Sequence, residues 1–74
     1  MFARVVFDVP ALHCEGCVAS VSQVLEPLTG VQAIKGDLEK RQLVVEYDLA
    51  SVTPQAMALQ LEAVGYPVTG SHGH

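Results

Sequence analysis

The sequence predicts an α+β fold of the ferredoxin-like type, a βαββαβ chain with two helices on one face of a four-stranded antiparallel sheet. Three observations point there. Hydrophobic residues switch between strand and helix periodicity in the order strand, helix, strand, strand, helix, strand. Proline and glycine fall at the changes of period. Half of the 74 residues are hydrophobic, enough for one packed core and against disorder.

Ala3 to Val9 alternates, with Val5, Phe7 and Val9 on one face and Arg4, Val6 and Asp8 on the other. That pattern is a half-buried strand. Pro10 ends it, because proline offers no amide to a sheet, and Pro10 to Glu15 is expected to be a loop. From Gly16 the spacing becomes helical: Cys17, Val18, Val21, Val24, Leu25 and Leu28 form one stripe. Pro27 stops or bends this helix near Glu26. Val31 to Gly36 reads as a weaker strand and Gln42 to Asp48 as a stronger one, with Leu43, Val45 and Tyr47 facing one way. Asp37 to Arg41 suits the hairpin between them.

Thr53 can cap a second helix that Pro54 opens. Met57, Leu61 and Val64 recur on its inner face, and Gly65 suits the left-handed residue that ends a helix. Met57 is therefore expected in the core rather than at a metal. Tyr66 to Thr69 reads as the last strand. The domain is expected to span residues 1–70, with a frayed tail at 71–74. His72 and His74 of that tail form a His-Gly-His tract, able to hold a divalent ion weakly but expected to be silent.

Four Lys and Arg stand against eight Asp and Glu, a formal charge of −4. With no basic stripe, nucleic acid is not an expected partner. No apolar run reaches the ~18 residues of a membrane span, and Met1 to Arg4 lacks the apolar stretch of a signal peptide. A cytoplasmic protein without membrane insertion is the expectation. A start at Met1 and a self-contained end favour a free protein over one domain of a pump.

The chemistry is concentrated in the only two cysteines, Cys14 and Cys17. In a reducing compartment such a pair points to metal binding or thiol chemistry rather than a structural staple. Cys17 falls in the opening turn of the first helix, where free amides and the helix dipole favour a thiolate. Thiolates select soft ions such as Cu(I). A tetrahedral Zn(II) needs further ligands, from His13, Asp8, Glu15, water or a partner. An ion held by two surface sulfurs can accept a third from another protein, which suits carrying over storage. A redox dithiol, a structural disulfide or half of a zinc site are the alternatives. No second pair exists for a zinc ribbon, and a thioredoxin-like site needs a longer chain.

Ala11-Leu12-His13-Cys14-Glu15-Gly16-Cys17 resembles the Gly-Met-Thr-Cys-x-x-Cys motif of the heavy-metal-associated domain. That family includes small copper chaperones, the periplasmic mercury-binding protein of mercury resistance operons, and soluble domains of metal-pumping P-type ATPases. Leu38-Glu39-Lys40-Arg41 running into Val44-Val45-Glu46-Tyr47-Asp48, and Gly65-Tyr66-Pro67, are also similar to the family. The resemblance covers roughly Ala3 to Thr69.

It implies that Cys14 and Cys17 are the metal ligands, that Tyr66 shields the ion, and that Leu12, in place of the usual Met, packs beneath the loop. Cu(I) is the first expectation, with Hg(II), Zn(II) or Cd(II) as alternatives. The implied partner is a metal-transporting P-type ATPase or similar acceptor, and two facing loops could share one ion in a homodimer. No enzymatic activity is expected. Ala11 replaces the usual Gly and makes the loop stiffer. His13 replaces the usual Thr and is a candidate third ligand, while Glu15 is expected to be a solvated loop residue. A thiol redox or sensing module, cycling a Cys14–Cys17 disulfide, is the competing function.

Overall fold

The computed structural model describes residues 1–73. Its elements are β1 (Phe2–Asp8), α1 (Glu15–Leu25), β2 (Val31–Asp37), β3 (Gln42–Asp48), α2 (Pro54–Ala63) and β4 (Gly70–Gly73). The strands form one antiparallel sheet in the order β2-β3-β1-β4. With both helices packed on the sheet, this is the expected ferredoxin-like fold.

Strand alternation sorts the core. Val5 pairs with Val45 and Phe7 with Leu43 across β1 and β3, and all four are buried. Val21 and Leu25 of α1 and Met57 and Leu61 of α2 close over them with no exposed surface. Removing each large side chain of this set from water contributes about 1.5–3 kcal/mol. Arg4, paired to Glu46 at 3.1 Å, and Asp8 lie on the sheet's other face.

The helix boundaries follow local chemistry. α1 begins at Glu15, one residue earlier than the expected Gly16, so Glu15 belongs to the helix and not to the loop, because Cys14, in an extended conformation, caps it through its side chain. At α2 the Thr53 side chain accepts from the amide of Ala56, and Pro54 occupies the first turn. Gly65 takes φ +87°, the left-handed conformation that ends α2. Arg41 takes φ +54° in the β2–β3 turn, which is uncommon without glycine.

The last strand differs from the expectation. Tyr66 to Thr69 is not the strand, and the supposed tail at 71–73 is: Gly70 pairs with Asp8, Ser71 with Phe7, His72 with Val6 and Gly73 with Val5. Pro67 has no amide to give, so pairing starts only where the Thr69 amide reaches the Asp8 carbonyl at 2.9 Å. The free edge of β1 then supplies backbone partners that a Gly-Ser-His-Gly stretch can use without an apolar face. His74 lies outside the described residues.

Asp8 faces both Gln42 and Gly70 in the sheet. The β1–α1 loop, the β2–β3 turn and the α2–β4 connection therefore converge at one end of the domain.

Candidate metal centre

The β1–α1 loop is held from both sides. The Val9 amide donates to the Arg41 carbonyl at 2.9 Å, and the Leu12 amide donates back to the Val9 carbonyl at 3.0 Å. Leu12 is fully buried under the loop. Cys14 then turns the chain into α1: its carbonyl accepts from the amides of Cys17 (3.0 Å) and Val18 (3.3 Å), and its Sγ accepts from the Cys17 amide at 3.3 Å.

The two sulfurs stand 2.9 Å apart as free thiols. Cys14 is exposed, whereas Cys17 keeps only 7% of its surface. One sulfur is thus available to an incoming partner while the other is fixed by the helix. The Cys17 thiol is lowered from 9.0 to about 6. The largest cause is the hydrogen bond from Cys14, followed by the Tyr66 hydroxyl and the His13 backbone amide, with burial working the other way. Reciprocally, the bond to Cys17 and desolvation push the Tyr66 hydroxyl up. Cys17 is therefore largely a thiolate at neutral pH, the form that binds soft metal.

His13 lies with the cysteines, since one donor atom from each of His13, Cys14 and Cys17 falls within 4.8 Å of the others. Its Nδ1 is 3.9 Å from Cys17 Sγ and 2.7 Å from the Ala11 carbonyl. A carbonyl only accepts, so this contact assigns the ring proton to Nδ1 and leaves Nε2 with the free lone pair.

Other candidates are elsewhere. The Asp8 carboxylate is engaged by Gln42 Nε2 at 3.1 Å and His72 Nε2 at 2.9 Å, away from the sulfurs. The pair with His72 is on the open sheet face, so His72 does not join the thiols. Glu15 is exposed in the first turn of α1, and Met57 is fully buried.

Two contributors escaped the sequence reading. Ser20, one turn after Cys17, bonds the Gly16 carbonyl at 3.0 Å and also touches the Tyr66 hydroxyl. Its spacing from Cys17 was the available signal. Arg41 holds Val9 through its carbonyl and reaches the Pro10 carbonyl through Nη1 at 3.5 Å. Nothing local in the sequence links residue 41 to the loop. Among the described residues, no helix is long and apolar enough to cross a membrane.

A fold of this topology with two thiols presented between β1 and α1 defines a class of soft-metal-binding domains. The sequence pattern of the heavy-metal-associated domain matches residues 6–67, and the chain belongs to that family. It is 35% identical over 63 residues to the copper chaperone CopZ of Staphylococcus haemolyticus, covering 85% of this chain and 93% of that one. It is 33% identical over 63 residues to the mercuric transport protein periplasmic component of Salmonella typhi, covering 85% and 69% respectively. The crystal structure of oxidised MerP from Ralstonia metallidurans CH34 superposes with a TM-score of 0.84 at 28% identity, covering 95% of this chain and all of that one. The chain also matches copper-transporting ATPases, of whose length it spans only 4%.

Proposed function

We propose that this domain carries Cu(I) on the sulfurs of Cys14 and Cys17 and delivers it by ligand exchange to a metal-transporting P-type ATPase or similar acceptor. The observation that carries this reading is the asymmetry of the pair: a thiolate fixed at the start of α1 beside an exposed thiol 2.9 Å away.

The buried Cys17 keeps hold of the ion while the exposed Cys14 is the sulfur an acceptor thiolate displaces first. Tyr66 acts from the α2–β4 connection by donating to Cys17, and Leu12 holds the loop from beneath. Likeness to a copper chaperone over nearly its whole length supports the carrier role. On this reading the domain works in the cytoplasm and has no catalytic activity of its own. Two copies can meet through facing loops and share an ion.

Hg(II) is the alternative cargo supported by likeness to a mercuric transport protein. The third donor at His13 favours Zn(II) or Cd(II) only if the ring leaves the Ala11 carbonyl or presents Nε2. A reversible Cys14–Cys17 disulfide is the second reading, favoured by the same close approach of the sulfurs.

Anaerobic titration of the reduced protein with Cu(I), against a competing chelator, tests the proposal. Uptake of one equivalent, lost when both cysteines become serine, is the expected result. Absence of uptake by the reduced wild-type chain sinks it.

A further inference from the structure

We infer that Gly36 of β2 is a positioning residue for the metal site, setting the depth at which Cys17 and the first turn of α1 seat on the sheet. This rests on the reading of Cys14 and Cys17 as ligands.

Gly36 has no conformational reason to be glycine. The left-handed glycines are Gly30 and Gly65, and Gly36 is not among them. Glycine inside a strand weakens it and often marks a close approach. Gly36 pairs with the fully buried Leu43, so it belongs to the face that the helices cover. A Cβ placed there would lie 2.6 Å from Cγ2 of Val18, 2.9 Å from Cγ1 and 3.3 Å from Cβ.

Those atoms have little freedom to withdraw. Valine in a helix strongly prefers one side-chain rotamer, and its methyl groups branch directly at Cβ. A side chain at residue 36 therefore lifts the first turn of α1 rather than deflecting a flexible tip. Cys17 immediately precedes Val18 and moves with it. Cys14 is bonded to that turn through its carbonyl, which accepts from the Cys17 and Val18 amides, and on its other side is held by the loop that Leu12 anchors and Arg41 fixes at its root. Lifting the turn against that anchored loop strains the Cys14 cap and so changes the spacing of the two sulfurs and the reach of Cys17 to Tyr66.

Gly36→Ala, Val18→Ala and the double variant test this, each compared with wild type for anaerobic Cu(I) affinity and thermal stability of the apo form. Gly36→Ala is expected to weaken Cu(I) binding by about tenfold, the scale of a lost supporting contact at a metal site. Val18→Ala alone is expected to stay within about twofold of wild type, and the double variant likewise, because the contact that couples the two positions is removed. Should Gly36→Ala fail to fold, the double variant decides: near-native affinity supports the inference and a persistent loss overturns it. A Gly36→Ala variant that loses stability but not affinity also overturns it. Failure of wild type to take up Cu(I) is a separate result that counts against the proposed function. The Cys17 amide resonance then reads the positioning: displacement in Gly36→Ala with recovery in the double variant supports it, and no displacement refutes it.

Discussion

Cys14 caps the helix that carries Cys17: the Cys17 amide lies 3.3 Å from Cys14 Sγ, and its carbonyl partner is the same residue at 3.0 Å. Ligand geometry and helix initiation are thus one feature. Cys14→Ser keeps an oxygen at the cap and removes a sulfur ligand, whereas Cys14→Ala removes both. The serine variant should be more stable than the alanine variant by about 1 kcal/mol, with Cu(I) binding lost in both. Chemical denaturation and chelator competition measure the two effects separately. Equal stability of the two variants would remove the capping role.

Ionisation of Cys17 ties stability to pH. The folded thiol titrates near 6, below its ordinary 9.0, so folding favours the thiolate. Its contribution is fully present above the ordinary value and is lost as pH falls through about 6. Tyr66→Phe removes one donor and should raise the Cys17 titration, though less than Cys14→Ala, which removes the larger cause. Thiolate absorbance followed against pH checks the order. A Tyr66→Phe curve that overlies wild type would exclude the hydroxyl.

Leu12 is fully buried beneath the loop that bears His13 and Cys14. Leu12→Ala should cost about 2–5 kcal/mol, because the cavity adds to the lost transfer energy. Leu12→Met should cost less than about 1.5 kcal/mol, since the volumes are close. Thermal or denaturant unfolding distinguishes them. A small loss in the alanine variant would mean that the loop collapses into the space.

The short β4 has a polar anchor. Asp8 joins Gln42 of β3 to His72 of β4, and both contacts hold its carboxyl below the usual 3.8, Gln42 more than His72. This contribution is present above the ordinary value and is lost as pH falls through the lowered one. Asp8→Ala should speed amide exchange in Ser71 and His72 while leaving α1 unchanged. Unaltered exchange in β4 would show that the backbone ladder alone suffices.

Where the structure departs from the sequence reading, the cause is contact between distant segments. β1, β3 and both helices could be read because each carries its own apolar period, and the cysteine pair announces itself by spacing. β4 could not, since Gly70 to Gly73 contribute no core side chain and owe their conformation to the edge of β1. The roles of Arg41 and Gly36 are equally silent locally. One depends on where the Val9 amide lies, the other on which face of α1 comes down on β2. Ala11 and His13 were visible as departures from the family motif, yet only the 2.7 Å contact between them shows that the ring is held by the loop it sits in.

The direction of β4 has a practical consequence. The strand starts beside Asp8 at the thiol end and runs away to Gly73 opposite Val5, while the Met1 carbonyl binds the Leu49 amide at the far side. Both ends of the described residues thus lead away from Cys14. A fluorophore, an affinity handle or a neighbouring module attached at either end would leave the sulfur-bearing surface open to an approaching acceptor.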